Sequence, residues 1–171
     1  IGRVYSGKGV NIAMEMCERL GVKLKIAGQL GENYEYLKDE SKWPPNVEYV
    51  GYCDAEKRSN LMKGAKALIC PSTYAEPFGG VQVEAMLCGT PVISTDWGAF
   101  TEVNLQGKTG YRCRTMGDFV EAGRKCLNGE IKYEDCRARG EEYSLENIAP
   151  KYEKYFKDVW NVHNAKGWYE I

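Results

Sequence analysis

A chain of 171 residues is long enough to bury one core without staples and short for two domains, and 43% apolar against 27% charged residues excludes both a disordered chain and a membrane-embedded one. Lys plus Arg number 23 against 24 Asp plus Glu, so there is no general basic footprint for nucleic acid and any cationic site must be local. No stretch nears the length of a membrane span, and residues 1–9 carry neither a signal-peptide run nor a lipidation motif; the chain reads as cytoplasmic, able to work at the cytoplasmic face of a membrane.

In chain order, Val10, Ala13, Cys17 and Leu20 recur at helical spacing, and Gly21 is placed to stop that helix. Residues 22–28, VKLKIAG, read as a strand, and NVEYVGY repeats the pattern after Pro44 and Pro45. A helix is expected over residues 54–65 with Asp54 at its cap. ALIC is a short buried strand halted by Pro71; GGVQVEAMLCG is a helix opened by two glycines and closed by Gly89; PVIST is another apolar strand. From Thr115 onward only helices are expected, through DFVEAGRKCLNG, YEDCRARGEEYS and LENIAPKYEKYFKDVWNVHN. The stripe Ile148, Tyr152, Tyr155, Phe156 and Val159, continued by Trp160, Trp168 and Tyr169, should pack on its own domain in its first half.

Short strands alternating with helices predict a doubly wound parallel sheet, an α/β Rossmann-like fold over residues 1–171, with further helices at the C-terminus. Ligands of such sheets bind beyond the carboxyl ends of the strands, which points to the loops at residues 5–8, 29–33, 52–53, 71–78 and 95–101.

Within AEPFGGVQVEAM, Gly79 and Gly80 let backbone approach a ligand while unpaired N–H groups at the helix start make an anion site suited to phosphate. Glu84, one turn in, can lean back to the mouth of that site and accept hydrogen bonds from a ribose; Pro77 holds Glu76 extended beside it. The same two residues also fit a helix-dipole partner and a solvated helix position. Arg3 and Lys8 flank the first strand-to-helix turn, where two cations could neutralise a diphosphate, and they equally fit a solvated surface.

Gly7 and Gly9 form no complete dinucleotide fingerprint, and a Walker-type loop is absent. The single His163 builds neither a metal cluster nor a nucleophile-base pair, and no Asp-any-Asp pair exists to hold a divalent ion. Phosphate chemistry here would rest on amides, Arg and Lys, with no metal and no other cofactor. Seven cysteines, odd in number and ten or more positions apart, read as free, mostly buried thiols.

The run from Glu76 to Pro91, with its two glutamates, Phe-Gly after the first, Glu-Ala-Met after the second, then Gly and Pro-Val-Ile, resembles the hallmark of family 4 retaining glycosyltransferases of the GT-B architecture. GRVYSGKG, LKIAG, VEYVGY, ALICPS and GAFTEVNLQGKTGYRC extend the resemblance over roughly residues 1–156. It implies the C-terminal, donor-binding half of a two-domain enzyme that moves a hexosyl group from a nucleotide sugar such as a UDP- or GDP-sugar to a glycan, lipid or small-molecule acceptor. The acceptor would be held by an N-terminal domain that this chain lacks, so the isolated half is expected to be inactive alone. By the same resemblance Arg3 and Lys8 bind the diphosphate, and the amides of Gly79, Gly80 and Val81 after Phe78 hold phosphate or sugar oxygens. Glu84 would bind the ribose, Glu76 the transferred sugar, and the backbone of Tyr52 and Cys53 the base. Its last helix would cross back to the missing domain, or, lacking it, self-associate. Relatives often carry Gly-Gly where this chain has Gly98 and Ala99 after Trp97, so sugar identity is not carried over. The alternative is a non-catalytic nucleotide-sugar-binding module or regulatory subunit.

Overall fold

The computed structural model describes residues 1–167; Trp168 and Tyr169 of the expected stripe lie outside the described residues. The first helix, α1 (Val10–Leu20), ends at Gly21, whose N–H reaches back to Cys17 O and Glu18 O. Then follow β1 (Leu24–Ile26), two short 3-10 segments between residues 32 and 42, and β2 (Val47–Tyr49). The next helix, α2 (Ala55–Lys63), is capped by the Asp54 carboxylate, which accepts the Lys57 N–H at 2.8 Å. Beyond it run β3 (Leu68–Cys70), α3 (Gly80–Leu87), β4 (Val92–Thr95) and the single-turn α4 (Phe100–Val103). The chain continues through β5 (Gly110–Cys113), α5 (Met116–Leu127), α6 (Tyr133–Glu141) and α7 (Leu145–Lys166).

All pairings are parallel, in two groups: β1 with β2, and β3, β4, β5 in that order. Residues 2–4 run extended beside the end of β1, with Gly2 N donating to Ala27 O and Val4 N to Gln29 O, without forming a full strand. In β4 the pleat sends neighbours to opposite faces. Val92 joins a core with Met62, Val83, Met86 and Phe100 on the α2, α3 and α6 side, whereas Ile93 joins Met16, Cys113, Phe119 and Cys126 on the α1 and α5 side. Helices therefore cover both faces of the sheet, as the strand and helix alternation predicts.

One expectation needs correction, and one strand, β5 at 110–113, has no counterpart among the elements expected from the sequence. In the first half of the 148–160 stripe only Ile148 is half-buried: Tyr152, Tyr155 and Phe156 are exposed, with the two tyrosine ring centroids 6.2 and 5.7 Å from that of Phe156. All seven cysteines are free and all but Cys88 are buried. Burial pushes the Cys17 and Cys70 thiols up to about 11, and those of Cys113, Cys126 and Cys136 to about 12, so these are packing groups rather than nucleophiles.

Candidate donor site

The candidate residues lie in the stretch 3–8 that leads into α1 and in the segments after β2 and β3, with the loop after β4 beside them. The Lys8 turn is fastened to the loop after β3 at two points. Thr73 N donates to Gly7 O at 2.9 Å, and Gly9, at φ +64°, lies so close to Pro71 that a Cβ there would fall 1.9 Å from the Pro71 carbonyl oxygen. Only glycine accommodates both the left-handed backbone and that approach.

This fastening brings Lys8 Nζ to 2.7 Å from Glu76 Oε2, across 68 positions of sequence. Ser72 Oγ donates to the same oxygen at 3.1 Å, and the Ser72 carbonyl is itself held by Thr95 Oγ1 at 3.0 Å. Burial alone would raise the Glu76 carboxyl, yet the bonds from Lys8, Tyr74 and Ser72 hold it below the ordinary carboxylate value. Burial likewise works to lower the Lys8 ammonium, and Glu76 with Tyr74 outweighs it and raises it. Lys8 Nζ also lies 5.0 Å from the Tyr74 ring centroid. The result is an ionised pair with a fixed geometry.

The Glu76 backbone is fixed from the other side by the loop after β4. Ala99 N donates to Glu76 O at 2.9 Å, and Gly98, at φ +59°, leaves no room for a Cβ, which would fall 2.6 Å from Glu76 N. Trp97 Nε1 reaches Tyr74 O at 3.1 Å, so the departure at 97–99 braces the carboxylate loop. Within α3 the fully buried Gln82 donates from Nε2 to Phe78 O at 2.7 Å and closes the turn between Glu76 and the helix.

At the start of α3 the amides of Gly79, Gly80 and Val81 donate to no backbone acceptor, while Gln82 N is already used on Gly79 O. Gly80 is exposed, and the space where its Cβ would stand meets nothing nearer than Phe78 at 3.9 Å. Arg3, Lys8, Glu76, Gly79, Gly80 and Val81 all line one cavity of about 700 Å³, bordered elsewhere by apolar side chains such as Leu24, Ile26 and Leu68 and by Lys23, Lys25 and Lys66. Arg3 is exposed and forms no ion pair with the described residues, whereas Lys8 is committed to Glu76. Of Arg3 and Lys8, the first is thus spare and the second braced.

Four expected site residues stand apart from that cavity. Tyr52 is 79% exposed, the Cys53 side chain is buried, so only backbone is offered there, and Phe78 rests against Tyr143 with centroids 5.8 Å apart. Glu84 points to α2, where it pairs with Arg58, Nε to Oε2 at 2.6 Å and Nη2 to Oε1 at 3.2 Å. Sequence reasoning points to the loop 71–78 without singling out Ser72 and Tyr74 in it, and misses Arg58. Arg58 had a usable signal: it precedes the buried Met62 by four, hence shares the face of α2 that meets α3. Among the described residues no group of three or more His, Cys, Asp or Glu is arranged to hold a metal ion, and no helix is long and apolar enough to cross a membrane.

Among known proteins, the chain is 34% identical over 138 residues to the glycogen synthase of Mycobacterium tuberculosis, covering 75% of this chain and 33% of that one. It is 31% identical over 112 residues to the phosphatidyl-myo-inositol mannosyltransferase of Propionibacterium freudenreichii, covering 61% and 29%. Similar solved structures include AviGT4, a glycosyltransferase involved in avilamycin A biosynthesis (TM-score 0.76, 25% identity, 93% of this chain and 49% of that one). Anabaena HepE in complex with UDP-glucose superposes at TM-score 0.78 with 20% identity, covering 92% and 48%, a likeness of fold alone. The chain thus spans about a third of the length of these curated relatives and about half of the solved ones. The fold is the Rossmann-like α/β half of a GT-B glycosyltransferase. The family model for glycosyl transferases group 1 matches residues 1–143, taking in the Lys8 turn, both glutamates and the glycine-led helix, and the chain belongs to that family.

Proposed function

We propose that this chain is the donor-binding half of a retaining, family 4 type glycosyltransferase that transfers a hexosyl group from a nucleoside diphosphate sugar without a metal ion. The observation that carries the reading is the braced Lys8–Glu76 pair beside the unpartnered amides of Gly79, Gly80 and Val81. A diphosphate needs several donors and a positive field; a helix start, Lys8 and the spare Arg3 supply both. Glu76, fixed through backbone and side chain, would meet the hydroxyls of the transferred sugar, and Glu84 the ribose. The backbone at Tyr52 and Cys53 would meet the base. That relatives bear the names glycogen synthase and phosphatidyl-myo-inositol mannosyltransferase supports a hexosyl donor.

In the proposed reaction the bond from the sugar's anomeric carbon to the phosphate oxygen breaks, and the acceptor oxygen bonds to that carbon on the same face. The acceptor proton passes to the departing diphosphate. Arg3, Lys8 and the amides lower the barrier by stabilising the charge that develops on the leaving group. The acceptor domain would be a separate one, meeting the exposed aromatic face of α7. Calorimetry with UDP, GDP and ADP, each with and without EDTA, tests the donor site: binding of at least one, unchanged by EDTA, is expected. Loss of binding with EDTA overturns the metal-free reading, and no binding of any overturns the donor site.

A further inference from the structure

The Glu84 carboxylate is held by a two-point fork from another helix. Arg58 contributes Nε to one oxygen at 2.6 Å and Nη2 to the other at 3.2 Å, so the carboxylate plane is set by the guanidinium plane. The partners are 26 positions apart and join α2 to α3, unlike the i,i+3 and i,i+4 pairs along α5, α6 and α7.

Docking of α2 does not need this pair. Met62, 2% exposed, carries the helix into the core with Val83 and Met86, Thr90 Oγ1 donates to Met62 O at 2.7 Å, and Ser59 Oγ lies 3.7 Å from Cys88 Sγ. With side chains 33% and 43% exposed, the pair is screened by solvent and adds little to folding. Its geometry therefore has a better explanation than stability. Glu84 lies one turn inside the helix whose start would receive a diphosphate, where an uncompensated carboxylate would repel the ligand. Arg58 neutralises it, and with both oxygens engaged each still has a lone pair for an incoming hydroxyl. Two oxygens in one fixed plane match two adjacent hydroxyls. Through α2, Arg58 also ties that carboxylate to the loop at Tyr52 and Cys53.

We propose that Arg58 is a positioning residue that holds Glu84 to read the vicinal hydroxyls of a ribose, and so sets the preference of this site for ribonucleoside over deoxyribonucleoside diphosphates. This rests on the reading of Glu84 as the ribose carboxylate. A lysine keeps the charge but not the fork, which makes the two separable.

The test is calorimetry on this chain with whichever of UDP, GDP and ADP binds most tightly and with its 2′-deoxy analogue. The unaltered chain should prefer the ribonucleotide by roughly tenfold or more, as one hydrogen bond to a charged group allows. Glu84→Gln should remove most of that preference. Arg58→Ala should lower it at least fivefold, to about twofold or less, by weakening the ribonucleotide while moving the deoxynucleotide less than about threefold, and Arg58→Lys should restore only part of it. A preference unchanged by Glu84→Gln overturns the ribose reading of Glu84. A preference lost with Glu84→Gln but kept in Arg58→Ala overturns the role of Arg58 alone, as does equal weakening of both nucleotides. Should Arg58→Ala fail to fold, Arg58→Lys decides: full preference there shows that charge suffices and overturns the fork.

Discussion

Lys8 Nζ and Glu76 Oε2 stand 2.7 Å apart because the turn carrying the lysine is fastened to the β3 loop at Thr73 and at Gly9. The pair is an outcome of loop docking, so its titration reports on the integrity of the site. The folded Glu76 titrates below its ordinary value of 4.5, which means that its contribution is complete above that value and is lost as pH falls through the lower, folded one. Lys8 titrates above its ordinary 10.5, so its contribution is complete below that value and is lost as pH rises through the higher, folded one. Chemical denaturation of the chain and of Glu76→Gln should therefore show a stability gap of about 1 to 3 kcal/mol that is flat between about pH 5 and 9 and closes on acidification below about pH 4. A gap that widens in acid would mean that Glu76 is not ionised in the folded chain.

Gly98 supports the same carboxylate through backbone alone. Gly98→Ala puts a methyl 2.6 Å from Glu76 N on a backbone at φ +59°, and should cost about 1 to 3 kcal/mol of stability. Gly107→Ala, at φ +72° with nothing within 4 Å, isolates the conformational share and should cost about 1 kcal/mol. Equal losses in the two variants would show that the Gly98 contact yields freely.

How much of this is legible in the sequence depends on whether the signal is local. The α1, α2 and α3 helices announce themselves through apolar spacing and through Gly21, Asp54 and the Gly79–Gly80 start. Their boundaries match to within a few residues. The β5 strand was hidden because half of it faces polar groups: Arg112 pairs with Asp96 at 3.0 Å and donates to Thr101 O, so GYRC lacks a strand's apolar run. The sequence marks Lys8 and Glu76 each as a site residue, yet no spacing rule joins positions 68 apart. Their pairing follows from tertiary docking. Arg58 needed one further step, that the α2 face marked by Met62 meets α3, and only then does a charged residue on that face acquire a partner.

The two glutamates should separate by ligand. Glu84→Ala should weaken binding of a sugar-free nucleoside diphosphate by about 1 to 3 kcal/mol, the range for hydrogen bonds to a charged group. Glu76→Ala should change that binding little and weaken the corresponding nucleotide sugar more. Titrating both variants with UDP and UDP-glucose, or the GDP pair if that base is preferred, decides it; equal weakening of the sugar-free nucleotide by both would refute the division of roles.

The last prediction concerns α7. Tyr152, Tyr155, Phe156 and Trp160 are 59%, 61%, 63% and 65% exposed on one helix, an apolar surface that lone domains seldom leave to water. Side chains this exposed add little to the folded domain, so Tyr155→Ser with Phe156→Ser should shift unfolding by less than about 1 kcal/mol. The same surface should drive contact between copies, and sedimentation should show an average mass that rises with concentration in the unaltered chain and stays near monomer in the double variant. Hydrogen exchange supplies the residue-level form: amides 161–166 should exchange freely at low concentration and gain protection only where association sets in. Strong, concentration-independent protection there, together with a loss of several kcal/mol in the double variant, would mean that α7 is held by its own domain, and the face could not then be the one offered to an acceptor domain.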